Sequence, residues 1–221
     1  MKKKKVKGTI KTKIDKVSDS TIRRLTLYHR SLKRMEKQNI ERTTSMELAE
    51  SEGIHPAKIR KDLSYFGTFG CRGVGYEVST LKRELDHILG FNKPWGLVII
   101  GGGQLGETLI KSQSLKENNF IINKIFEKKP DQLKITTGQT GVFSINQLEK
   151  KIDPLKDHIA IIALPHREIQ PIIDRLSKLD IKGVLYIASR AVNTPKNMVV
   201  MNQDLSLSLG MMTYKVLEKR G

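Results

Sequence analysis

A single cysteine, Cys71, stands among 221 residues. No internal disulfide can form, and no Cys/His cluster carries the spacing of a zinc site. Long apolar runs are missing too, so no segment is expected to span a bilayer. The N-terminal lysines are not followed by the apolar stretch that a secretory signal requires. Aromatic residues make up only 5% of the chain, so a core must rest on aliphatic side chains. Acidic residues are also few, 23 against 40 Lys and Arg, for a formal net charge of +17. These absences point to a metal-free, cytoplasmic chain with no membrane partner. Eight lysines and one aspartate lie in residues 1–16, whereas residues 17–90 hold 13 basic and 10 acidic residues. Such a lysine arm is expected to be disordered and to attract polyanions without reading their sequence. Charge alone suggests nucleic acid only weakly, so the local pattern must carry the argument.

That pattern centres on Ile59 to Tyr76, IRKDLSYFGTFGCRGVGY. At helical pitch Ile59, Leu63 and Phe66 share one side. Ala57, Lys61 and Ser64 share the other, flanked by Lys58, Arg60 and Tyr65. A helix of this build sits on a core and reaches into a major groove. Gly67, Gly70, Gly73 and Gly75 then predict a tight hairpin with Arg72 at its tip. Upstream, a first helix is predicted from Asp19 to Asn39. Ile22, Leu25, Leu32 and Met35 form its buried stripe, with Arg23, Arg24, Arg30, Lys33 and Arg34 mostly outside it. Thr44 and Glu47 have capping-box spacing, Gly53 suits a left-handed helix end, and Pro56 suits the first turn of the next helix. Helix, short turn and polar-faced helix make a helix-turn-helix, and the hairpin would be its wing. Leu81–Leu89 reads as a further helix closed by Gly90, and FNKP as a linker.

After the linker the pattern changes. A buried strand, Leu97–Ile100, runs into GGGQLG, and one helix is expected over ETLIKSQSL. Gly101, Gly103 and Gly106 give the fingerprint GxGxxG. The first glycine allows the turn, the second admits a pyrophosphate, and the third lets helix and strand pack closely. Helix N-termini offer free N–H groups to phosphates. A second strand, Phe120–Phe126, ends in Glu127, whose carboxylate suits the adenosine ribose hydroxyls and repels a 2′-phosphate; Lys128 and Lys129 could accept that phosphate and blur the choice, but the carboxylate favours NAD over NADP. Strands at 141–145, 159–164, 183–187 and 198–201 alternate with helices at 146–152 and 168–179, which implies a parallel sheet covered on both faces. Ligands lie at the carboxyl ends of such strands. Leu164, Pro165 and His166, with Ala188, Ser189 and Arg190, should therefore border the nicotinamide end, His166 on a surface loop. Asp204 is a good N-cap for a last helix, with Leu205, Leu209, Met212 and Val216 as its apolar stripe. That stripe must be buried either on its own domain or on another subunit.

With both halves read, the chain resembles the Rex family of redox-sensing transcriptional repressors. The resemblance is carried by LAESEGIHPAKIRKDLSYFGTFGCRGVGYEV (48–78), the glycine loop, IIALP, IKGVL and the final DLS, and it spans roughly residues 19–219. It implies an α/β fold: an N-terminal winged helix-turn-helix domain (17–90) and a Rossmann-like, doubly wound parallel sheet (91–203). It further implies a homodimer that exchanges the C-terminal helix (204–221), and repression at an inverted-repeat DNA operator relieved by NADH as a regulatory ligand. By the motif, Lys58, Arg60, Lys61, Ser64, Tyr65 and Arg72 become operator contacts. Gly101, Gly102, Gly103, Gln104, Leu105, Gly106 and Glu127 become the NAD(H) site, with Leu164, Pro165, Ala188 and Ser189 beside the nicotinamide. Arg24 and Asp204 match residues that couple DNA domain and sensing site.

Several positions depart from the family pattern. GAGNLG is GGGQLG, an Asp is Glu127, and a second Asp is Lys129. A switch tyrosine is Ser112, NFAP is Tyr186–Ser189, and RLP is Arg24-Leu25-Thr26. The operator-reading stretch is thus closer to the family than the sensing pocket. Two other readings compete: a regulator responding to NADP or coenzyme A, and a small NAD-dependent dehydrogenase. The second would need a substrate domain and a proton-transfer group. The Rossmann unit uses all the residues after Phe91, so a non-enzymatic regulator is expected.

Overall fold

A computed structural model describes residues 17–71, 73–101, 103–132 and 140–219. The chain divides into two units between Lys93 and Pro94.

In the first unit, α1 (Asp19–Lys37) starts at Ser18, whose hydroxyl accepts the Thr21 N–H. Its buried stripe is Leu25, Tyr28, Leu32 and Met35. Thr44 and Glu47 form the capping box of α2 (Ser45–Glu52): each side chain accepts the other's backbone N–H, Glu47 at 2.7 Å. Gly53, at φ 64°, ends α2 in the left-handed conformation. The chain re-enters helix at Pro56 to form α3 (Pro56–Ser64), and α4 (Val78–Leu89) closes the unit at Gly90. Leu25, Tyr28, Leu32, Leu48, Ile59, Leu63, Leu81 and Leu85 form one core, each side chain contributing about 1.5–3 kcal/mol by its burial. The hairpin is β2 (Gly70–Cys71) against β3 (Gly75–Glu77). A strand not read in the sequence, β1 (Arg42–Thr43), pairs with the other edge of β3. Two residues carry no periodicity, so only the pairing defines β1.

The second unit is a six-stranded, all-parallel sheet. Its strands are β4 (Trp95–Gly101), β5 (Phe120–Glu127), β6 (Gly141–Ser144), β7 (Ile159–Ala163), β8 (Gly183–Tyr186) and β9 (Val199–Asn202). The spatial order is β6-β5-β4-β7-β8-β9, with every neighbour parallel. This is the doubly wound dinucleotide-fold order, which reverses between β4 and β7. The helix expected after the glycine loop is two, α5 (Gln104–Ile110) and α6 (Gln113–Glu117), because the chain leaves helical geometry at Ser112 (φ −66°, ψ 108°). The helix expected at 146–152 is a 3₁₀ turn, Ile145–Gln147, followed by α7 (Leu148–Lys151). His166 opens α8 (His166–Ser177) rather than lying in a loop, because the helix starts directly after Pro165.

One sheet face buries Val98, Ile100, Phe126, Ile162, Val184 and Tyr186 under Leu148 of α7 and Ile169, Ile173 and Leu176 of α8. The other buries Ile99 and Ile125 under Ile110 of α5. Toward β9 that second face is bare, with Val199 66% and Met201 61% exposed. The last helix, α9 (Leu205–Glu218), does not fold back on its own unit: Leu205, Leu207, Leu209, Met211, Met212, Tyr214 and Leu217 are each more than half exposed. Its apolar residues therefore encircle the helix rather than form one stripe. Among the described residues no helix is long and apolar enough to cross a membrane.

Candidate nucleic-acid interface and nucleotide site

Helix α3 turns Ile59 and Leu63 into the core and leaves Ala57, Lys58, Arg60, Lys61, Ser64 and Tyr65 exposed. The four potential donor side chains Lys58, Arg60, Lys61 and Tyr65 thus sit with Ser64 on one solvent-facing surface. Arg60 donates to the Ser45 hydroxyl at 2.8 Å, which braces α3 against the start of α2. Ser64 donates to the Lys61 carbonyl at 2.7 Å. A cleft of about 490 Å³ separates this surface from the hairpin, lined by Ser45, Arg60, Ser64, Phe69, Cys71 and Tyr76. Arg72, expected at the hairpin tip, lies outside the described residues.

Sequence reasoning missed the inner side of α3. Asp62 is only 1% exposed, and its carboxylate is gripped from α1. Arg24 donates to it twice, from Nε at 2.6 Å and Nη2 at 2.7 Å, and the Tyr28 hydroxyl donates at 2.8 Å. Burial alone would push the Asp62 carboxyl up. The hydrogen bonds from Arg24 and Tyr28, with the Arg24 and Lys58 charges, outweigh it and hold the carboxyl below its ordinary value. The Tyr28 hydroxyl moves well above the usual tyrosine value, by burial first and then by its bond to Asp62. Arg24 is therefore turned inward rather than lying outside the stripe of α1. The only signal in the sequence was angular: at 100° per residue Asp62 falls within about 60° of Ile59, on the buried side.

In the second unit the glycine loop leaves β4 where the strand order reverses. Gly101 has φ +72° and is paired in register with Ala163 of β7. A Cβ there would lie 2.4 Å from Leu164 Cδ2 and 2.8 Å from the Ala163 carbonyl oxygen. Only glycine allows β4 and the segment after β7 to come so close. At Gly103 (φ +41°) a Cβ would meet nothing within 4 Å, and at Gly106 it would touch Ile125 Cδ1 at 3.4 Å. The loop is therefore open to an approaching group at its second glycine and packed on the sheet at its third. The Gly103 N–H donates to Glu127 Oε1 at 2.8 Å, tying the loop to the end of β5. Lys128, the cation beside Glu127, pairs with Glu168 of α8 at 2.7 Å.

Gly102 and the side chains of Gln104 and Leu105 lie outside the described set. Leu164 and Ala188 are half-buried against the core, Pro165 sits at the N-cap of α8, and Ser189 is exposed. Tyr186 points into the core at 4% exposure, its hydroxyl donating to the Arg190 carbonyl at 3.2 Å. Asp204 caps α9, accepting the Ser206 N–H at 2.8 Å. Among the described residues no group of three His, Cys, Asp or Glu side chains is placed to hold a metal ion.

Comparison with known proteins finds a family model matching part of each unit. Residues 16–64 match a model described as a putative DNA-binding protein N-terminus, and residues 92–190 a CoA binding domain. The chain is 36% identical over 204 residues to the redox-sensing transcriptional repressor Rex of Desulforamulus reducens, covering 92% of this chain and 97% of that one. It is also 36% identical over 205 residues to the Rex of Thermus thermophilus, covering 93% and 96%. Among solved structures it superposes with TM-score 0.82 on RSP in complex with β-NAD⁺ and operator DNA, at 33% identity, over 92% of this chain and 94% of that one. RSP in complex with β-NADH gives TM-score 0.81 at 31% identity, over 93% and 96%.

Proposed function

The chain belongs to the Rex family of redox-sensing transcriptional repressors, and from that premise we propose that it is a DNA-binding repressor of the cytoplasm that senses the NADH/NAD⁺ balance. The observation that carries this reading is the pairing of two sites in one chain. One is an exposed row of cations and hydroxyls on α3. The other is a glycine loop at the point of strand reversal, tied to a carboxylate. On this reading Lys58, Arg60, Lys61, Ser64 and Tyr65 contact the operator, and Arg72 contacts it from the wing. Residues 101–106 hold the pyrophosphate, Glu127 accepts from the adenosine ribose, and Leu164, Pro165, Ala188 and Ser189 border the nicotinamide. The dinucleotide brings a ring that is cationic when oxidised and neutral when reduced. The protein's part is to bind the two forms unequally in two domain arrangements, since a ligand shifts an equilibrium only through differential affinity.

Glu127 bears on the competing ligands. NADP and coenzyme A both carry an extra phosphate on the adenosine ribose, and the carboxylate at the end of β5 repels it. Lys128, the adjacent cation, is engaged by Glu168. An enzymatic reading has the family against it: the relatives are named as repressors. Assembly follows from apolar surface. The bare face at β9 and the bare helix α9 lie in the same unit. A second copy supplies both complements at once, α9 of each subunit covering the other, with Arg24 and Asp204 coupling DNA domain to sensing site in the dimer. The test is a DNA-binding titration at fixed salt with NADH, NAD⁺, NADPH and coenzyme A. NADH should weaken operator binding and NAD⁺ should not. Equal operator affinity with NADH and NAD⁺ would remove redox sensing from the function.

A further inference from the structure

We propose that Asp62, held by Arg24 and Tyr28, is a positioning residue for DNA reading. It sets the rotation of α3 about its own axis and thereby the aim of Lys58, Lys61 and Ser64. The inference rests on α3 being the DNA-reading helix.

Helix α3 has only nine residues, Pro56–Ser64, and two buried aliphatic side chains, Ile59 and Leu63. Aliphatic contacts are non-directional, so two of them allow a short helix to roll by some degrees at little cost. Nine residues rising 1.5 Å each make about two and a half turns, and side-chain heads lie several ångströms from the axis. A small roll therefore displaces the heads of Lys58 and Lys61 enough to lose hydrogen-bond register with base edges. The Arg24 fork has the property that the aliphatic contacts lack: two parallel N–H donors meeting both oxygens of one carboxylate fix orientation as well as distance. Both donor atoms come from a rigid plane on α1, and the Tyr28 hydroxyl adds a third direction. The fork is itself anchored, because Arg24 Nη2 also donates to Thr21 Oγ1 at 3.0 Å, and Thr21 is bonded to the N-cap Ser18. The chain of bonds runs from the start of α1 to the inner face of α3. Arg60, braced on Ser45, steadies the outer side.

A buried ion pair is weak evidence of stability, since well-packed apolar residues of similar volume often serve as well or better. Its directionality is the property an apolar replacement cannot reproduce, and this difference gives the test. A duplex is first selected from a random library by the wild-type protein, and binding to it is compared with a scrambled duplex at the same salt, with no dinucleotide present so that the coupling proposed for Arg24 does not enter. Three variants are made: Asp62→Asn, Arg24→Lys, and the apolar replacement Arg24→Met/Tyr28→Phe/Asp62→Leu. Thermal unfolding is measured on each. Arg24→Lys, which keeps the charge and loses the fork, should fold and lose at least tenfold in affinity for the selected duplex. Binding to the scrambled duplex should be unchanged. Asp62→Asn should behave likewise. The apolar variant should recover wild-type unfolding temperature without recovering preference for the selected duplex. Recovery of both, or an unchanged preference in a folded Arg24→Lys protein, would make the cluster merely structural and overturn the proposal. Failure of the wild type to enrich any sequence would instead remove the DNA-reading role of α3 itself.

Discussion

Gly101→Ala is the most exacting perturbation of the proposed nucleotide site, because its cost can be worked from two separate terms. An alanine at φ +72° adopts left-handed backbone at roughly 1–2 kcal/mol. The new methyl group would also lie 2.4 Å from Leu164 Cδ2 and 2.8 Å from the Ala163 carbonyl oxygen. Leucine can rotate away. The carbonyl cannot, because Ala163 is the register partner of Gly101 in the β4–β7 ladder. Overpacking of this kind costs about 1–3 kcal/mol, for a sum of about 2–5 kcal/mol, a large part of a domain's usual 5–15 kcal/mol. At roughly 3 °C or more per kcal/mol, unfolding should fall by at least about 6 °C. If the loop instead moves to relieve the clash, the Gly103 N–H is drawn away from Glu127. Losing one such charge-assisted hydrogen bond costs about 1.5–3 kcal/mol, and if NADH must restore the tied loop to bind, that is about 10- to 150-fold in its affinity.

The assay is thermal unfolding with and without NADH. At a hundredfold excess over Kd, ligand stabilises the wild type by about 2.7 kcal/mol, and Gly101→Ala should lose about half to nine-tenths of that increment. Gly183→Ala is the control on the same sheet: its Cβ would meet nothing closer than 3.6 Å, at an ordinary φ. Gly101→Ala behaving like Gly183→Ala, in unfolding and in NADH binding, would refute the close-approach argument.

Three further outcomes are expected. Lys61→Ala should weaken operator binding by about 1–3 kcal/mol if it contacts a base, and Arg60→Ala by a similar amount, with the Ser45 brace also lost; gel-shift titrations against random DNA check this. Truncation after Asp204 should give monomers or aggregates by light scattering, as the exposed apolar side chains of α9 each forgo about 1.5–3 kcal/mol of burial in an assembly. Burial lowers the pKa of His29, overriding its bond to Asp86, with Lys33 and Lys82 acting in the same direction as burial. The unfolded chain therefore binds the proton more readily, and stability should be full above about pH 6.5 and fall as pH drops below it. His29→Gln should flatten unfolding temperature between pH 7 and 5.

Much of the architecture was legible because the residues that fix it act locally. Thr44, Glu47, Gly53 and Pro56 write the ends of two helices in side-chain and backbone chemistry. Gly101, Gly103 and Gly106 carry the chain from the end of a strand into a helix. Two of the misses depend on a partner distant in sequence, and the others carry no local mark. β1 exists only through β3. The break between α5 and α6 lies at Ser112, which no proline or glycine marks. Asp62, between Lys61 and Leu63, looks like one more charge on a solvated face until Arg24 and Tyr28, 38 and 34 residues away, close on it. The stripe drawn on α9 was too narrow, because a one-sided stripe presumes a helix with a wet side.

A helix apolar on all sides has a genetic corollary. On the exchanged-helix reading, subunits recognise one another through α9 and the bare sheet face, both of the second unit, whereas the proposed DNA-reading helix α3 belongs to the first. A chain with a disabled α3 and an intact α9 would therefore still co-assemble with normal chains, and each mixed dimer would carry a single working half-site reader. Expressed beside the wild type, such an allele should be dominant negative, derepressing target genes out of proportion to its dose, whereas an allele lacking α9 should be recessive.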